Sequence, residues 1–159
     1  MPNITEQQAM ELSKHFSSMS NSVAQYRYNK WDTLTVDQRK QLSDDHWTLA
    51  NDSDDFLRLA AQLILNDAIA DLGKIKNVTQ QIESTIDQIK KIEKVFDIIS
   101  AALELGGAIM AKDPALIVKK IDNLSKLVNS TRSKKDEKNI KEKNKKIVLH
   151  KGRGKKHNG

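Results

Sequence analysis

Apolar residues along the first part of the chain recur with the spacing of one helix face. Ala9, Leu12, Phe16, Met19, Val23 and Tyr26 follow one another in alternating steps of three and four, which lines a single stripe on an α-helix. Thr5, with Gln8 three residues on, supplies the start signal: the hydroxyl accepts from the third amide and the glutamine reaches back to the cap amide. The spacing predicts a helix over roughly residues 6–30. Thr35 and Gln38 repeat the signal, and a short helix follows with Leu42, Trp47 and Leu49 on its buried side. The run Asn51-Asp52-Ser53-Asp54-Asp55 reads as a break, its carboxylates suited to the positive end of a further helix.

From Phe56 the pattern runs far. Phe56, Leu59, Leu63, Leu65, Ile69 and Leu72 lead into Ile75. Ile75, Ile82, Ile89, Phe96 and Leu103 then recur every seven residues, with Val78, Ile92 and Ile99 between them. This heptad spacing predicts one long coiled-coil-like helix reaching Ala111 and bending at Gly73. From Ile75 to Ala111 it would span about 55 Å at 1.5 Å per residue. Ile75, Ile82, Ile89, Ile92 and Phe96 form its pairing stripe, which is either core or the face that meets a second copy or a protein partner.

Asp113-Pro114 marks a restart, an acidic cap followed by proline at the first helical position. Only Lys112 and Asp113 separate the two helices, so they should fold back on each other. Ile117 would then lie near Ala108, and Leu124 near Ala101. The expected fold is all-α: an elongated bundle of four to five helices with an antiparallel hairpin turning at 112–114.

Composition narrows the picture. The chain of 159 residues has no Cys, 2 Pro and 6 Gly. A disulfide scaffold and a Cys-ligated zinc site are excluded, and a turn-rich β-sandwich is disfavoured. The formal charge of +6, from 27 Lys and Arg against 21 Asp and Glu, hides two unlike parts. Residues 1–131 carry 15 basic against 18 acidic side chains, and residues 132–159 carry 12 against 3. The first part is read as the helical domain. The second is a Lys-rich tail too poor in apolar residues to offset its ordering entropy, and it is expected to be disordered. Lys134, Lys135, Lys145, Lys146, Lys151, Arg153, Lys155 and Lys156 are its candidate polyanion-binding residues. They would attract nucleic acid, anionic lipid or an acidic protein in a salt-dependent way. No signal peptide and no full membrane-spanning run are visible. The chain is expected in the cytoplasm as made, with signal-independent export or a peripheral membrane location left open.

Candidate chemistry is sparse. His15, His46, His150 and His157 have no metal-motif spacing, and Asp52–Asp55 lack the central Gly and distal Glu of an EF-hand. Neither an enzyme, nor a metal or cofactor, nor a small-molecule substrate is expected. The less ordinary segment is Ile98–Val118, IISAALELGGAIMAKDPALIV. Ser100 and Glu104 are its only polar residues up to Ala111. Gly106 and Gly107 sit inside the helix, where each costs about 1 kcal/mol relative to Ala. Ala and Gly here permit close helix approach. Ile98, Ile99, Leu103, Leu105, Gly106, Gly107, Ile109, Met110, Pro114, Leu116 and Ile117 are either a hairpin buried in the bundle or a contact with a membrane or partner. A heptad helix leading into such a hairpin, with Asp113-Pro114-Ala115 at the turn, resembles the head of α-helical pore-forming toxins of the cytolysin A and haemolysin BL type over residues 75–130. The resemblance implies an apolar head that is tucked away in the soluble form and inserts on assembly.

The expected function is therefore non-enzymatic association. The leading reading is contact with a membrane through the hairpin, aided by the tail. The alternatives are a nucleic-acid- or ribosome-associated accessory and a helical adaptor or immunity-like protein.

Overall fold

The structure, a computed structural model, describes residues 3–131, and among them it is all-helical. The helices are α1 (Glu6–Asn29), α2 (Val36–Arg58), α3 (Ala68–Thr85), α4 (Ile92–Met110) and α5 (Pro114–Ser130). Single 3-10 turns at Trp31–Thr33, Ala60–Gln62 and Ile86–Gln88 link the first four. Both capping boxes form as the sequence dictates. The Thr5 hydroxyl accepts from the Gln8 amide and the Thr35 hydroxyl from the Gln38 amide, and each glutamine accepts from its cap amide at 2.9 Å. Asp113 caps α5 by accepting from the Leu116 amide, with Pro114 in the first turn.

Two expected boundaries move. The acidic run 51–55 does not interrupt α2, because tertiary contacts hold Asp52 and Ser53 within it and anchor Phe56 just beyond it. Ser53 is clasped to Ser13, Asp52 rests on α4, and Phe56 meets Phe16 edge-on with centroids 4.9 Å apart. Trp47 is not on the buried side of this helix; it is 61% exposed.

The single long helix from Phe56 to Ala111 is instead split twice. The chain leaves helix at Arg58, and Leu63 and Leu65 point inward at strand-like spacing, with Leu63 accepting from the Ile4 amide at 2.9 Å. Asp67 then caps α3, accepting from the Ala70 amide. The bend expected at Gly73 does not occur, since the break precedes α3. The second interruption, Ile86–Lys91, contains neither Gly nor Pro. Its 3-10 spacing turns Ile86 and Ile89 inward together, 3% and 8% exposed, so the chain reverses without losing apolar burial. The heptad phase changes across it. In α4 the buried face is Val95, Ile98, Ile99, Ala102, Leu105 and Ile109, while Phe96 and Leu103 are only half-buried.

The main helix contacts close a ring in the order α1, α2, α4, α5, α3 and back to α1. α3 runs parallel to α1: Asn29, at the end of α1, donates to Asp87 just beyond the end of α3. α2 and α4 descend from that same end, and α5 returns to it. The expected hairpin register holds, with Lys120 of α5 paired to Glu104 of α4 at 3.1 Å. Each helix turns its stripe to a shared centre, where Met19, Val23, Leu49, Ile82, Ile98 and Ala102 leave a void of only about 10 Å³.

Candidate association surface

The residues singled out in the sequence fall into three groups. Of the hairpin set, Ile98, Ile99, Leu105, Ile109 and Ile117 lie in the core at 2% exposure or less. Gly106 is buried against α2. Leu103, Met110, Pro114 and Leu116 are half-buried and Gly107 is exposed. Of the pairing stripe, Ile75, Ile82 and Ile89 are buried within the chain, and Ile92 and Phe96 are half-buried against its core. The stripe is therefore consumed by this chain's own helices, because the split gives α3 and α4 separate faces toward one centre. Lys134, Lys135, Lys145, Lys146, Lys151, Arg153, Lys155 and Lys156 lie outside the described residues. Among the described residues no helix is long and apolar enough to cross a membrane, and no three metal-ligating side chains cluster.

The ring leaves large apolar side chains exposed toward both ends, Met10, Leu57 and Ile69 toward one and Tyr28, Trp31 and Val36 at the other. There α1 ends, the Trp31–Thr33 turn leads into α2, and Ile86–Lys91 leads into α4. Two cations pack against the Trp31 ring, with Arg27 4.7 Å and Arg39 4.3 Å from its centre. The guanidinium groups are fixed by backbone: Arg39 Nε and Nη2 donate to Trp31 O at 3.0 and 2.7 Å, and Arg27 Nε donates to Arg39 O at 2.8 Å. Holding two cations on an indole is favourable because its face carries negative potential. Around this stack Tyr28 is 81%, Val36 75% and Trp31 42% exposed. The sequence pattern missed this group. Its signal was Arg27 and Trp31 at one helical turn's spacing, but Arg39 joins only once α2 folds back. α5 ends at this same end of the ring, so Thr131, the last described residue, is placed there.

Beside the stack lies a cleft of about 660 Å³ between the start of α2 and the start of α4, lined among others by Tyr26, Lys30, Thr35, Asp87 and Lys90. Burial, and next the Asp87 charge, push the Tyr26 phenol up.

The remaining perturbed groups lie elsewhere in the fold. Burial lowers His15, against a raising contribution from Glu11, and its Nε2, 3.5 Å from Glu11 Oε1, has no hydrogen bond. Burial raises Asp45. Asp52 is pushed up to about 6, by burial and then by Asp55. His46 Nδ1 sits 2.7 Å from Ser20 Oγ and joins α2 to α1. His15 lies on α1, and Asp45, His46 and Asp52 on α2.

Compared with known proteins, the chain matches no family model, no curated protein and no solved structure.

Proposed function

We propose that this protein is a non-enzymatic helical bundle that associates peripherally with an anionic membrane surface through the Trp31 end of the ring. The observation that carries the reading is the coincidence, at that end, of exposed Tyr28, Trp31 and Val36, of Arg27, Lys30, Arg39 and Lys90, and of the point where the chain enters its Lys-rich segment. Amphipathic aromatics favour the boundary between headgroups and acyl chains. Juxtaposed lysines each contribute about 1 kcal/mol near an anionic leaflet. The hairpin is not the contact in this reading. Ile98, Ile99, Leu105, Ile109 and Ile117 fill the core, so toxin-like insertion would first require α4 to leave α2 and α5 to leave α3.

Vesicle sedimentation tests the proposal. The full chain should pellet with phosphatidylserine-containing vesicles at about 50 mM salt and be released at about 500 mM, where exposed charges are screened. It should ignore neutral vesicles. Absence of anionic-vesicle binding at low salt would sink the reading.

Tyr28 favours one second reading. With its ring 81% exposed, it is free to stack on an unpaired base. A gel shift with single-stranded nucleic acid that Tyr28→Ser weakens, in a protein that ignores vesicles, would replace membrane by nucleic acid as the partner.

A further inference from the structure

We propose that residues 132–159 dock on the outer face of α2 around Trp47, as a contact within one chain. The docking does not depend on the membrane reading. Charge divides unevenly around the ring. α2 carries six acidic side chains against three basic, and its neighbour α4 three against one. α1 and α3 balance at two of each, while α5 carries one acidic against three basic. The acidic side of the bundle is thus α2 with α4. The segment after Thr131, with 12 basic side chains against 3, follows the basic helix α5. It is repelled by that helix and complements the α2 side.

The outer face of α2 has the chemistry to receive it. Asp44, Trp47, Asn51 and Asp54 follow one another at steps of three, four and three along one exposed stripe, and Asp37 is exposed near the start of the helix. Arg58 is already paired with Asp55 at 3.3 Å, and Arg39 donates to Trp31 O. Lys40 is then the one uncommitted Lys or Arg of α2 among the described residues. Trp47 is 61% exposed with no cation from the described residues over its ring, whereas Trp31 carries two. An exposed indole between carboxylates suits an ammonium group, which meets the ring face and donates its remaining protons to the acids.

Reach is sufficient. Thr131 stands at the end of the ring where α2 begins, and Trp47 lies about 16 Å along α2 from Val36. A flexible chain as long as residues 132–159 has a root-mean-square span of about 30 Å. Tethering on that scale sets an effective concentration near the millimolar range, so a contact that is weak in itself is populated. Ion pairs between exposed groups add little to folding stability. The docking therefore shows in where the segment lies, and not in the thermal midpoint.

The test is paramagnetic broadening in the full-length, ¹⁵N-labelled chain. There is no native Cys, so a nitroxide on Asn144→Cys labels the segment alone. At about 50 mM salt the Trp47 indole and the Thr48 and Asn51 amides should lose intensity, while Gly73 and Asn77, exposed on α3, keep theirs. At about 500 mM salt the intensity should return. Asp37→Asn with Asp44→Asn and Asp54→Asn changes only exposed groups, so helical circular dichroism should be kept while the loss at low salt disappears. Trp47→Leu should reduce the loss at Asn51 about twofold, by removing the ring that holds the ammonium group. Equal losses at Asn51 and Asn77 would overturn the proposal, as would a loss that the triple variant leaves intact. Broadening in a mixture of ¹⁵N-labelled native chain with unlabelled, nitroxide-bearing chain would also overturn it, by assigning the contact to a second copy. Vesicle binding is measured separately, so either proposal can fail without the other.

Discussion

Single positions in this bundle show why residue type alone misjudges a site. Three glycines interrupt its helices, and their surroundings differ. A Cβ at Gly73 or Gly107 would meet nothing within 4 Å, whereas one at Gly106 would overlap the Asp52 carboxylate and lie 3.2 Å from Phe16 Cε2. Gly106 thus marks the closest approach of α2 to α4. Gly73→Ala and Gly107→Ala should each stabilise by about 1 kcal/mol through helix propensity. Gly106→Ala should be destabilising, because forced repacking costs about 1–3 kcal/mol and outweighs that gain. Urea denaturation of the three variants checks the order. Asp52 itself binds its proton more tightly folded than unfolded, with a pKa of about 6 against an ordinary 3.8. Its contribution to stability is therefore complete below about pH 4 and lost as pH rises through 6. Asp52→Asn should be more stable than the parent at pH 7.5, the difference vanishing toward pH 4. His15 acts in the opposite direction. Burial lowers its pKa below the ordinary 6.5, so its share is present above that value and is lost as pH falls below it. Denaturation curves at pH 4, 6 and 7.5 separate the two. Protonation of Asp52 removes the cost of burying its charge beside Gly106.

Pairs of helices carry information that stripes do not. Along α1 and α2, Ser13 meets Ser53, Ser20 meets His46, and Arg27 meets the carbonyl of Arg39. Each step moves seven residues forward on one helix and seven back on the other, so three polar clasps fix one register across an apolar seam. Ser53→Ala should cost about 1–3 kcal/mol, since it strands the buried Ser13 hydroxyl. The double variant Ser13→Ala/Ser53→Ala should cost less than the two singles summed, a coupling that a double-mutant cycle measures. This pairing explains what the sequence could and could not reveal. Caps are local, so Thr5, Thr35 and Asp113-Pro114 announced three helix starts within a residue or two. The α4–α5 register followed from a two-residue turn. The extension of α2 through Asn51–Asp55 was hidden because partners on α1 and α4 hold it. The reversal at Ile86–Lys91 was hidden because its isoleucines keep a heptad spacing that a 3-10 turn satisfies equally well. The candidate surface was half legible: lysine content was obvious, but the Trp31 stack needs Arg39 from the next helix.

For the whole molecule, the question is what is left to bind with once the ring has closed. The stripe that reads as a pairing surface is spent on the chain's own core, which removes the main apolar reason to self-associate. Sedimentation at micromolar concentration should accordingly return the 18.0 kDa monomer mass. Charge is the remaining asymmetry, since residues 1–131 carry 15 basic against 18 acidic side chains and residues 132–159 carry 12 against 3. A mildly acidic body does not seek a polyanion by itself; in the proposed reading its aromatic, arginine-bearing end does so together with residues 132–159. The buried core residues among those described lie between Ile4 and Val128. A chain ending at Thr131 should therefore keep the parent's thermal midpoint and helical circular dichroism while losing most anionic-vesicle binding. Adding Tyr28→Ser should abolish what remains, because the aromatic contact and the electrostatic attraction reinforce each other at one surface. Full binding by the truncated chain would place recognition on the bundle alone. Loss of its fold would mean that residues 132–159 are part of the core rather than an appendage to it.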